Sequence, residues 1–378
     1  MRIAFVAYEG SIHTQRWAEF FALRGHDVHV VTCGGVSDSP RPYTVHDLGA
    51  VSIKPEYFAR TWRARQTIAD INPDIVHAHF ATSYGLLALA AQRSPLVVTA
   101  HGSDLLQLGL HSSVMRAILR RVLRAADLIT VPSEQMRSVA NTLLRESGSS
   151  DLVSPKRIDV FQYGIEAQRL LRVADSVRED PARRDVLKIV SSRSLHPVYQ
   201  VDALIQALAI LQARGTNFVC DILGDGPQRR SLEKLVHRLG LAERVHFYGH
   251  CSPMTVEQFV ARADVYASVS KSDGASLSLL EAMALGATPV VSDIPANRPW
   301  IEDGTNGFLV APDPASIAEG IDRTQSLWKD RVTMANRAII LERADRTALL
   351  SSFEQTLLDL VDGSQRDSAT THEAPLAA

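Results

Sequence analysis

One segment of the sequence combines residue types that suit phosphate binding. Residues 270–286 read Ser-Lys-Ser-Asp-Gly-Ala-Ser-Leu-Ser-Leu-Leu-Glu-Ala-Met-Ala-Leu-Gly. An apolar strand is expected to end near Val269, so the loop and the positive end of the next helix would lie at the carboxyl edge of a sheet. Free backbone amides there would hold a phosphate. The alternative is a plain helix start, because Ser278 and Glu281 have capping-box spacing.

Other polar clusters in the sequence give weaker signals. The loop Gly224-Asp225-Gly226 lacks the third glycine of a dinucleotide site and is followed directly by Pro227, so it indicates a strand-to-helix turn rather than an NAD site. His77 and His79 alternate on an expected strand without an obvious carboxylate or thiolate partner. The chain contains no Asp-x-Asp pair. We therefore expect no bound metal.

Short apolar runs alternate with longer amphipathic runs, which predicts parallel sheets covered by helices on both faces. In the first half, strands are expected at Ile3–Tyr8, Val28–Thr32, Ile75–His79, Leu96–Ala100 and Leu128–Val131. Helices are expected between them at His13–Leu23, Pro55–Ile71, Ser83–Gln92, Val114–Arg124 and Glu134–Arg145.

The alternation pauses and then restarts, which predicts two doubly wound domains joined by a linker. In the second half, strands are expected at Leu187–Ser191, Phe218–Leu223, Val245–Tyr248, Val265–Ser268 and Pro289–Ser292. Helices are expected at Val201–Ala213, Gln228–Leu239, Val256–Ala263 and Ser278–Leu285. The predicted division is an N-terminal domain 1–165, a polar linker 166–186, a C-terminal domain 187–345, a crossover helix 346–362 and a flexible tail 363–378.

Composition excludes several classes of protein. With 40 basic and 42 acidic residues the net charge is −2, so the chain is not a polycation built to coat nucleic acid. Its three cysteines lie far apart, which argues against a disulfide framework and favours a reducing cytoplasm. The longest nearly uncharged run, Phe80 to Gln92, is too short to cross a bilayer.

Several segments, in their order along the chain, resemble glycosyltransferase family 4, whose members are retaining enzymes of the GT-B fold. Asp273-x7-Glu281 followed by Ala282–Val291 resembles the Glu-x7-Glu element of that family. The other matching segments are Arg24–Val28, Thr99–Asp104, Leu223–Pro227, Val245–Gly249, Ala263–Val265 and a late hairpin at Ile301–Val310. The resemblance implies an α/β fold with two Rossmann-like domains, an interdomain cleft and a C-terminal helix that returns to the N-terminal domain.

The resemblance also implies roles for single residues. Glu281 would bind the ribose hydroxyls of a nucleotide-sugar, amides after Gly274 its diphosphate, and Arg193 would neutralise the phosphates. Asp273 and His101 would face the transferred sugar. The implied catalytic residues are His101, Arg193 and Asp273. The implied donor-binding residues are Gly10, Arg193, Gly224, Gly226, Lys271, Gly274, Ala275, Ser276, Leu277 and Glu281.

Two residues depart from the family pattern. Asp273 stands where glutamate is usual, which keeps the charge but shortens its reach by one methylene. The lysine expected five or six residues after Arg193 is replaced by the run Pro197 to Gln200. Arg193 or another cation must then offset more of the diphosphate charge. Lys271 is a candidate, and the alternative is that Lys271 is a solvated charge on the loop.

The N-terminal half offers acceptor-side and surface candidates. Gly10 in the first loop permits close backbone approach, and His13 and Arg16 could reach the acceptor, although His13 could equally be an ordinary first-turn residue. Segment 114–124 is amphipathic with four arginines. The preferred interpretation is a helix packed on its own sheet. The alternative is a peripheral contact with the inner face of a membrane.

The sequence is therefore interpreted as a retaining glycosyltransferase that moves a sugar from a UDP- or GDP-sugar to an acceptor hydroxyl of a saccharide or a lipid-linked sugar, without further cofactor. Synthesis of cell-surface polysaccharide or glycolipid would fit. The alternatives are a GT-B epimerase or phosphorylase, against which the Asp273/Glu281 element argues, and a weakly catalytic GT-B binding subunit, supported by Asp273 and the missing lysine.

Overall fold

The chain divides into two compact units, each built on one parallel sheet. This computed structural model describes residues 1–36, 39–52, 56–93, 95–102, 104–105, 113–145, 157–177, 186–273 and 276–372. Unit 1 comprises Met1–Tyr163 together with Ala348–Ala378, and unit 2 comprises Gly164–Thr347.

Unit 1 contains a seven-stranded parallel sheet in the order β3-β2-β1-β4-β5-β6-β7. Its strands are β1 (Arg2–Val6), β2 (Asp27–Thr32), β3 (Thr44–Asp47), β4 (Ile75–His79), β5 (Leu96–Thr99), β6 (Leu128–Val131) and β7 (Arg157–Val160). Five of them match the strands expected from sequence. The additional strands, β3 and β7, are the two edge strands, and neither contains a fully buried residue. Their sequences therefore lack the apolar run that marks a central strand.

Helices cover both faces of this sheet. They are α1 (Ile12–Leu23), α2 (Glu56–Ile71), α3 (Ser83–Ala90), α4 (Ser113–Ala125) and α5 (Glu134–Arg145). Buried residues of α2, α3, α4 and α5 share one apolar core with the sheet. On the opposite face, Trp17 of α1 packs edge-on against His77 and His79 of β4. None of the helices in the described ranges is both long enough and apolar enough to cross a membrane.

The last helix, α13 (Arg346–His372), packs on unit 1 beside α1. Phe353 contacts Trp17 and Phe161, with ring centroids 5.1 and 4.9 Å apart. The carboxylate of Glu354 accepts from Arg24 at 2.7 Å and lies 2.6 Å from His26. The helix continues to His372, so the flexible tail predicted from residue 363 is wrong for 363–372. Residues 373–378 lie outside the described ranges.

Unit 2 contains a six-stranded parallel sheet in the order β10-β9-β8-β11-β12-β13. Its strands are β8 (Leu187–Ser191), β9 (Phe218–Leu223), β10 (Val245–Gly249), β11 (Val265–Ser268), β12 (Thr288–Ser292) and β13 (Phe308–Val310). The first five match the expectation. Segment 301–310 is not a hairpin, because β13 pairs parallel with β12 after a tight turn. Asn306 holds that turn by donating to the carbonyl of Trp300.

The helices of unit 2 include one in the predicted linker. They are α6 (Ala167–Ser176), α7 (Val201–Ala213), α8 (Arg229–Arg238), α9 (Pro253–Ala261), α10 (Leu277–Leu285), α11 (Pro314–Thr324) and α12 (Lys329–Arg343). Ala167 and Leu170 are buried in the same apolar core as α10. The linker predicted at 166–186 is therefore wrong over α6, whose three charged residues are exposed. Residues 178–185 are outside the described ranges.

The chain enters and leaves unit 2 side by side. The amide of Ile165 donates to the carbonyl of Ala344, and the amide of Arg346 donates to the carbonyl of Ile165. These two hydrogen bonds fix the point from which α13 starts.

Candidate functional site

The loops after four neighbouring strands of unit 2 bring polar residues together at the carboxyl edge of its sheet. Arg193 follows β8, Gly224 follows β9, Asp273 follows β11 and Asn297 follows β12. Ligands of doubly wound domains bind at this edge, because the loops of parallel strands converge there.

Arg193 is the centre of this cluster. Its guanidinium donates to Asp273 Oδ2 at 2.7 Å and to Ser278 Oγ at 2.8 Å, and only 11% of its side chain is exposed. It stacks over the ring of Tyr199 at 4.2 Å. Burial opposes its charged form, but Tyr266 and Asp273 outweigh this and raise the pKa of Arg193. A buried, permanently charged guanidinium at a sheet edge suits an anionic ligand.

Asp273 and the start of α10 are held by a second set of contacts. Ser276 Oγ lies 3.0 Å from Asp273 Oδ2 and 2.9 Å from Asn297 Oδ1. Since a hydroxyl has one proton, it donates to one of these oxygens at a time. Asn297 itself donates to the carbonyl of Ser292 at 2.8 Å, which anchors it to the end of β12.

The alternative interpretation of this segment, a capping box formed by Ser278 and Glu281, does not fit the start of the helix. The helix begins at Leu277 with Ser276 at the N-cap position, so Ser278 already lies inside the first turn. Its hydroxyl is used instead by Arg193 and by Tyr266, whose OH lies 2.8 Å away. Glu281 lies half-buried one turn further along α10. The N-cap position of this helix is therefore Ser276 and not Ser278.

Gly224 and Gly226 allow two loops to approach closely. A Cβ on Gly224 would lie 2.2 Å from the carbonyl oxygen of Arg193, and one on Gly226 would lie 2.6 Å from that of Leu195. The loops are tied by the amide of Leu195, which donates to the carbonyl of Asp225 at 2.9 Å. These glycines fix the backbone that carries Arg193.

The remaining residues that the sequence predicts for donor binding in unit 2 lie on the same loops. Lys271 is exposed, and its backbone amide donates to the carbonyl of Val198 at 2.8 Å. Tyr199, which stands where the family lysine is expected, supports Arg193 with its ring rather than adding a charge. Gly274 and Ala275 lie outside the described residues.

In unit 1, His101 lies at the carboxyl end of β5 in a loop organised by a buried carboxylate. Asp104 is fully buried and accepts hydrogen bonds from the amides of His101, Gly102 and Ala81. Burial raises the pKa of Asp104, while these amides oppose the rise. The carboxylate thus fixes the backbone at His101.

His101 is half-buried and stacks with two fully buried imidazoles, those of His79 and His77. Its ring centroid lies 5.3 Å from that of His79, which is 4.6 Å from that of His77. Burial lowers the pKa of His101 to about 4 and that of His77 to about 3, and it lowers the pKa of His79 well below its usual value. The three rings are therefore neutral near pH 7, and His101 can act there as a neutral hydrogen-bonding group.

The first loop of unit 1 places two acceptor-side candidates near His101. The ring of His13 lies 6.2 Å from His101, and both rings pack against Tyr163. Arg16 lies half-buried one turn after His13 on α1. Gly10 lies against the ring of Tyr8, since a Cβ there would be 2.8 Å from ring atoms.

The described residues contain no group of three or more His, Cys, Asp or Glu side chains placed to hold a metal ion. His77 and His79 do share one face of the sheet, as their spacing indicates. One nitrogen of His77 is 2.7 Å from the hydroxyl of Thr99. Their surroundings are otherwise aromatic, which is typical of a packed core.

Sequence reasoning missed several residues of both clusters. Tyr163 and Asn297 follow strands at the functional edges of the two sheets, and this position is a signal that could have identified them. Ser278 gave no such signal, because its contact with Arg193 joins segments 85 residues apart. Tyr199 lies only six residues after Arg193, but its sequence position does not indicate that its ring stacks on the guanidinium.

Two family models match the chain. The model for glycosyl transferases group 1 matches residues 175–340, and the model for the glycosyl transferase 4-like family matches residues 2–133. Together they span most of both units.

Named relatives and solved structures agree with these models. N-acetyl-alpha-D-glucosaminyl L-malate synthase of Bacillus anthracis is 24% identical, over 90% of this chain and 91% of its own. The GDP-mannose-dependent alpha-(1-6)-phosphatidylinositol monomannoside mannosyltransferase of Mycobacterium tuberculosis is 27% identical, over 75% of this chain and 73% of its own. The structure of Anabaena HepE in complex with UDP aligns with a TM-score of 0.75 at 19% identity, covering 95% of this chain and all of that one.

Gly224→Ala is expected to disable the Arg193 cluster. The new methyl group would displace the Arg193 carbonyl, so we expect at least about tenfold weaker binding of nucleoside diphosphate, measured by calorimetry. Gly215→Ala is the matched control, because Gly215 also has a positive φ, +84°, but nothing lies within 4 Å of its Cβ position. Equal loss of binding in both variants would show that the loop contact is unimportant.

The buried imidazoles predict a pH dependence of stability. The unfolded chain titrates its histidines near pH 6.5, whereas the folded pKa values of His77 and His101 are about 3 and about 4. The free energy of unfolding should therefore fall as the pH is lowered from about 6.5 towards 4, by up to about 1.4 kcal/mol per pH unit for each histidine.

Urea denaturation across this pH range tests the expectation. His79→Gln should make the dependence shallower, while His237→Gln, at an exposed histidine of α8, should leave it unchanged. An identical slope in both variants would contradict the role of the buried stack.

Proposed function

The chain belongs to the family 4 glycosyltransferases of GT-B fold, and we propose that it is a retaining enzyme that transfers a sugar from a UDP- or GDP-sugar to an acceptor hydroxyl. The cluster around Arg193 carries this proposal. Its guanidinium is almost buried at the ligand-binding edge of unit 2, yet its Nε has no acceptor among the described residues. A buried donor without an acceptor is costly unless a ligand satisfies it.

The proposed chemistry is stabilisation of the leaving nucleoside diphosphate. Arg193 offsets the charge that grows on the phosphates as the glycosidic bond breaks, and the start of α10 adds the amides of Ser276 and Leu277. Glu281 binds the ribose hydroxyls. The short carboxylate of Asp273 fixes the orientation of Arg193 and lies beside the transferred sugar.

On the acceptor side, His101 and His13 supply neutral imidazoles and Gly10 supplies a close backbone approach. A neutral His101 donates or accepts a hydrogen bond at a sugar hydroxyl without adding a positive charge beside the anomeric carbon. Arg16 provides a cation on the same helix face as His13.

The relatives support the choice of donors. One is named as GDP-mannose-dependent, and one structural neighbour was solved with UDP. We propose a saccharide or lipid-linked acceptor at the cytoplasmic face of the membrane, used for surface polysaccharide or glycolipid. Segment 114–124 is proposed as a peripheral membrane contact, because α4 carries four arginines and has no carboxylate.

A thermal-shift screen of UDP, GDP and ADP, followed by their sugar derivatives, tests the donor. A ligand that binds only the folded chain raises the melting temperature. Turnover of the stabilising donor separates a transferase from a binding subunit, and analysis of the released sugar separates it from an epimerase or a phosphorylase.

Arg193→Lys is expected to reduce kcat about 100-fold or more while the protein stays folded. Lysine keeps the charge, but one ammonium cannot reproduce the forked contacts to Asp273 and Ser278. Steady-state kinetics and an apo thermal melt measure the two effects.

Arg214→Lys is the control for this change. Arg214 pairs with Asp322 at 2.7 Å, and it follows α7 at the opposite edge of the same sheet. Wild-type kcat in the Arg193 variant would rule out leaving-group stabilisation by its guanidinium.

Transfer is also expected to continue in EDTA. The sequence contains no Asp-x-Asp pair to bridge a metal and a diphosphate, so amides, a helix end and Arg193 meet the phosphate charge instead. Activity that disappears with chelator and returns with Mg²⁺ or Mn²⁺ would refute this account of phosphate binding.

A further inference from the structure

Two glycines hold the ring of Tyr8 in place at the carboxyl edge of the unit 1 sheet. Tyr8 follows β1 and is 48% exposed. Gly10 and Gly35, in the loops after β1 and β2, lie against its ring. A Cβ at Gly10 would be 2.8 Å from Cε1, and one at Gly35 would be 2.4 Å from Cε2. Any side chain at either position would collide with the ring, so the glycines make room for it.

Buried hydrogen bonds fix the two loops around this ring. The amide of Glu9 donates to Thr32 Oγ1 at 3.0 Å, and that hydroxyl donates to the carbonyl of Gly34 at 2.9 Å. The side chain of Glu9 is buried, and its carboxylate accepts from Tyr43 OH at 3.2 Å. The loop thus anchors the residue after Tyr8 in the interior and leaves the Tyr8 ring itself open to solvent.

Two further apolar side chains are exposed next to the same glycines. Ile12, 51% exposed, starts α1 two residues after Gly10, and Val36, 47% exposed, directly follows Gly35. His13, an acceptor-side candidate, directly follows Ile12. Apolar side chains in contact with water are costly, so several of them at the ligand-binding edge of a sheet mark a contact surface.

We infer that Tyr8 binds the acceptor by stacking against the C–H face of a sugar or cyclitol ring. Such a ring can present C–H groups rather than hydroxyls on one face, and an aromatic ring offers a flat apolar surface of negative potential to meet them. Ile12 and Val36 border this contact. A linear polyol or a free phosphate has no comparable face, so Tyr8 selects for acceptors that carry a ring.

This role of Tyr8 rests on the proposed function, because the ring that it binds is the acceptor of that transfer. Ring binding and donor turnover are measured separately. A chain that binds rings through Tyr8 but turns over no donor would defeat the proposed transfer alone. Transfer with a wild-type acceptor KM in a Tyr8→Leu variant would defeat the role of Tyr8 alone.

Saturation-transfer difference NMR tests the contact with free rings. The probes are the methyl α-glycosides of glucose, mannose and galactose together with myo-inositol, and glycerol is the open-chain control. The wild-type chain should bind at least one of these rings, and Tyr8→Leu should bind it about tenfold more weakly. Tyr8→Phe keeps the aromatic ring and should bind within about twofold of the wild type. Neither variant should change the response to glycerol.

Trp62→Leu is the matched control for the loss of an exposed aromatic side chain. Trp62 is 65% exposed on α2 of the same unit, and its replacement should leave ring binding unchanged. Melts followed by circular dichroism show that each variant is folded.

A second pair of variants tests the glycine contact. Gly35→Ala places a methyl group against Tyr8 Cε2 and should also weaken ring binding, because the aromatic ring must move. Gly25→Ala is its control, since Gly25 has a similar positive φ, +88° against +74°, but nothing lies within 4 Å of its Cβ position. The control should bind the ring as the wild type does.

Steady-state transfer to the bound ring gives a second readout. Tyr8→Leu should raise the KM for the acceptor about tenfold and leave the KM for the donor unchanged, whereas damage to the fold would change both. Equal ring binding by Tyr8→Leu and the wild type, or no binding of any of the rings by the wild type, would overturn the inference. Equal losses in Tyr8→Phe and Tyr8→Leu would also overturn it, because the hydroxyl and not the ring would then make the contact.

Discussion

The Arg193 cluster of unit 2 depends on one physical constraint, the compensation of a buried guanidinium. A permanently charged group removed from water needs both an opposite charge and hydrogen-bond acceptors. Arg193 obtains them from Asp273 and Ser278 of segment 270–286 and from the face of Tyr199 in its own loop. The ion pair thereby ties the loop after β8 to the loop after β11 and to the start of α10.

The same constraint explains the departures from the family pattern. A shorter carboxylate at Asp273 is matched here by direct contact with Arg193 and with Ser276. Tyr199 occupies the position where a lysine is expected, and its ring stacks on the guanidinium of Arg193 instead of supplying a second positive charge. Asp273 and Tyr199 both contact Arg193 directly. These contacts argue against a site that has lost its function.

The clustered imidazoles of unit 1 are neutral, in contrast to the charged guanidinium of Arg193 in unit 2. They lie among aromatic rings, and burial keeps His77, His79 and His101 neutral. The aromatic layer includes Phe353, which α13 brings from the far end of the chain. The return of this helix therefore completes the surroundings of the histidine stack as well as the core.

The amino-acid sequence by itself determined most of the architecture. Apolar runs identified ten of the thirteen strands in the described part of the chain, because central strands of a parallel sheet are buried on both faces. The edge strands β3 and β7 and the short β13 lack this signal. Helix α6 was predicted as a linker because its outer side is charged. Only Ala167 and Leu170 are fully buried in the core, which is too few to give an apolar pattern in the sequence.

For single residues, too, some roles were predicted from local sequence and others became clear only from the tertiary structure. Arg193, Asp273, Glu281 and His101 were predicted as site residues from motif positions, which depend on local sequence. Only the tertiary structure decided that Ser278 serves Arg193 instead of capping a helix, and that Gly224 makes room for a neighbouring backbone. These contacts join segments 31 and 85 residues apart. Local spacing cannot specify such pairs, because they are set by how the loops of separate strands converge at one edge of the sheet.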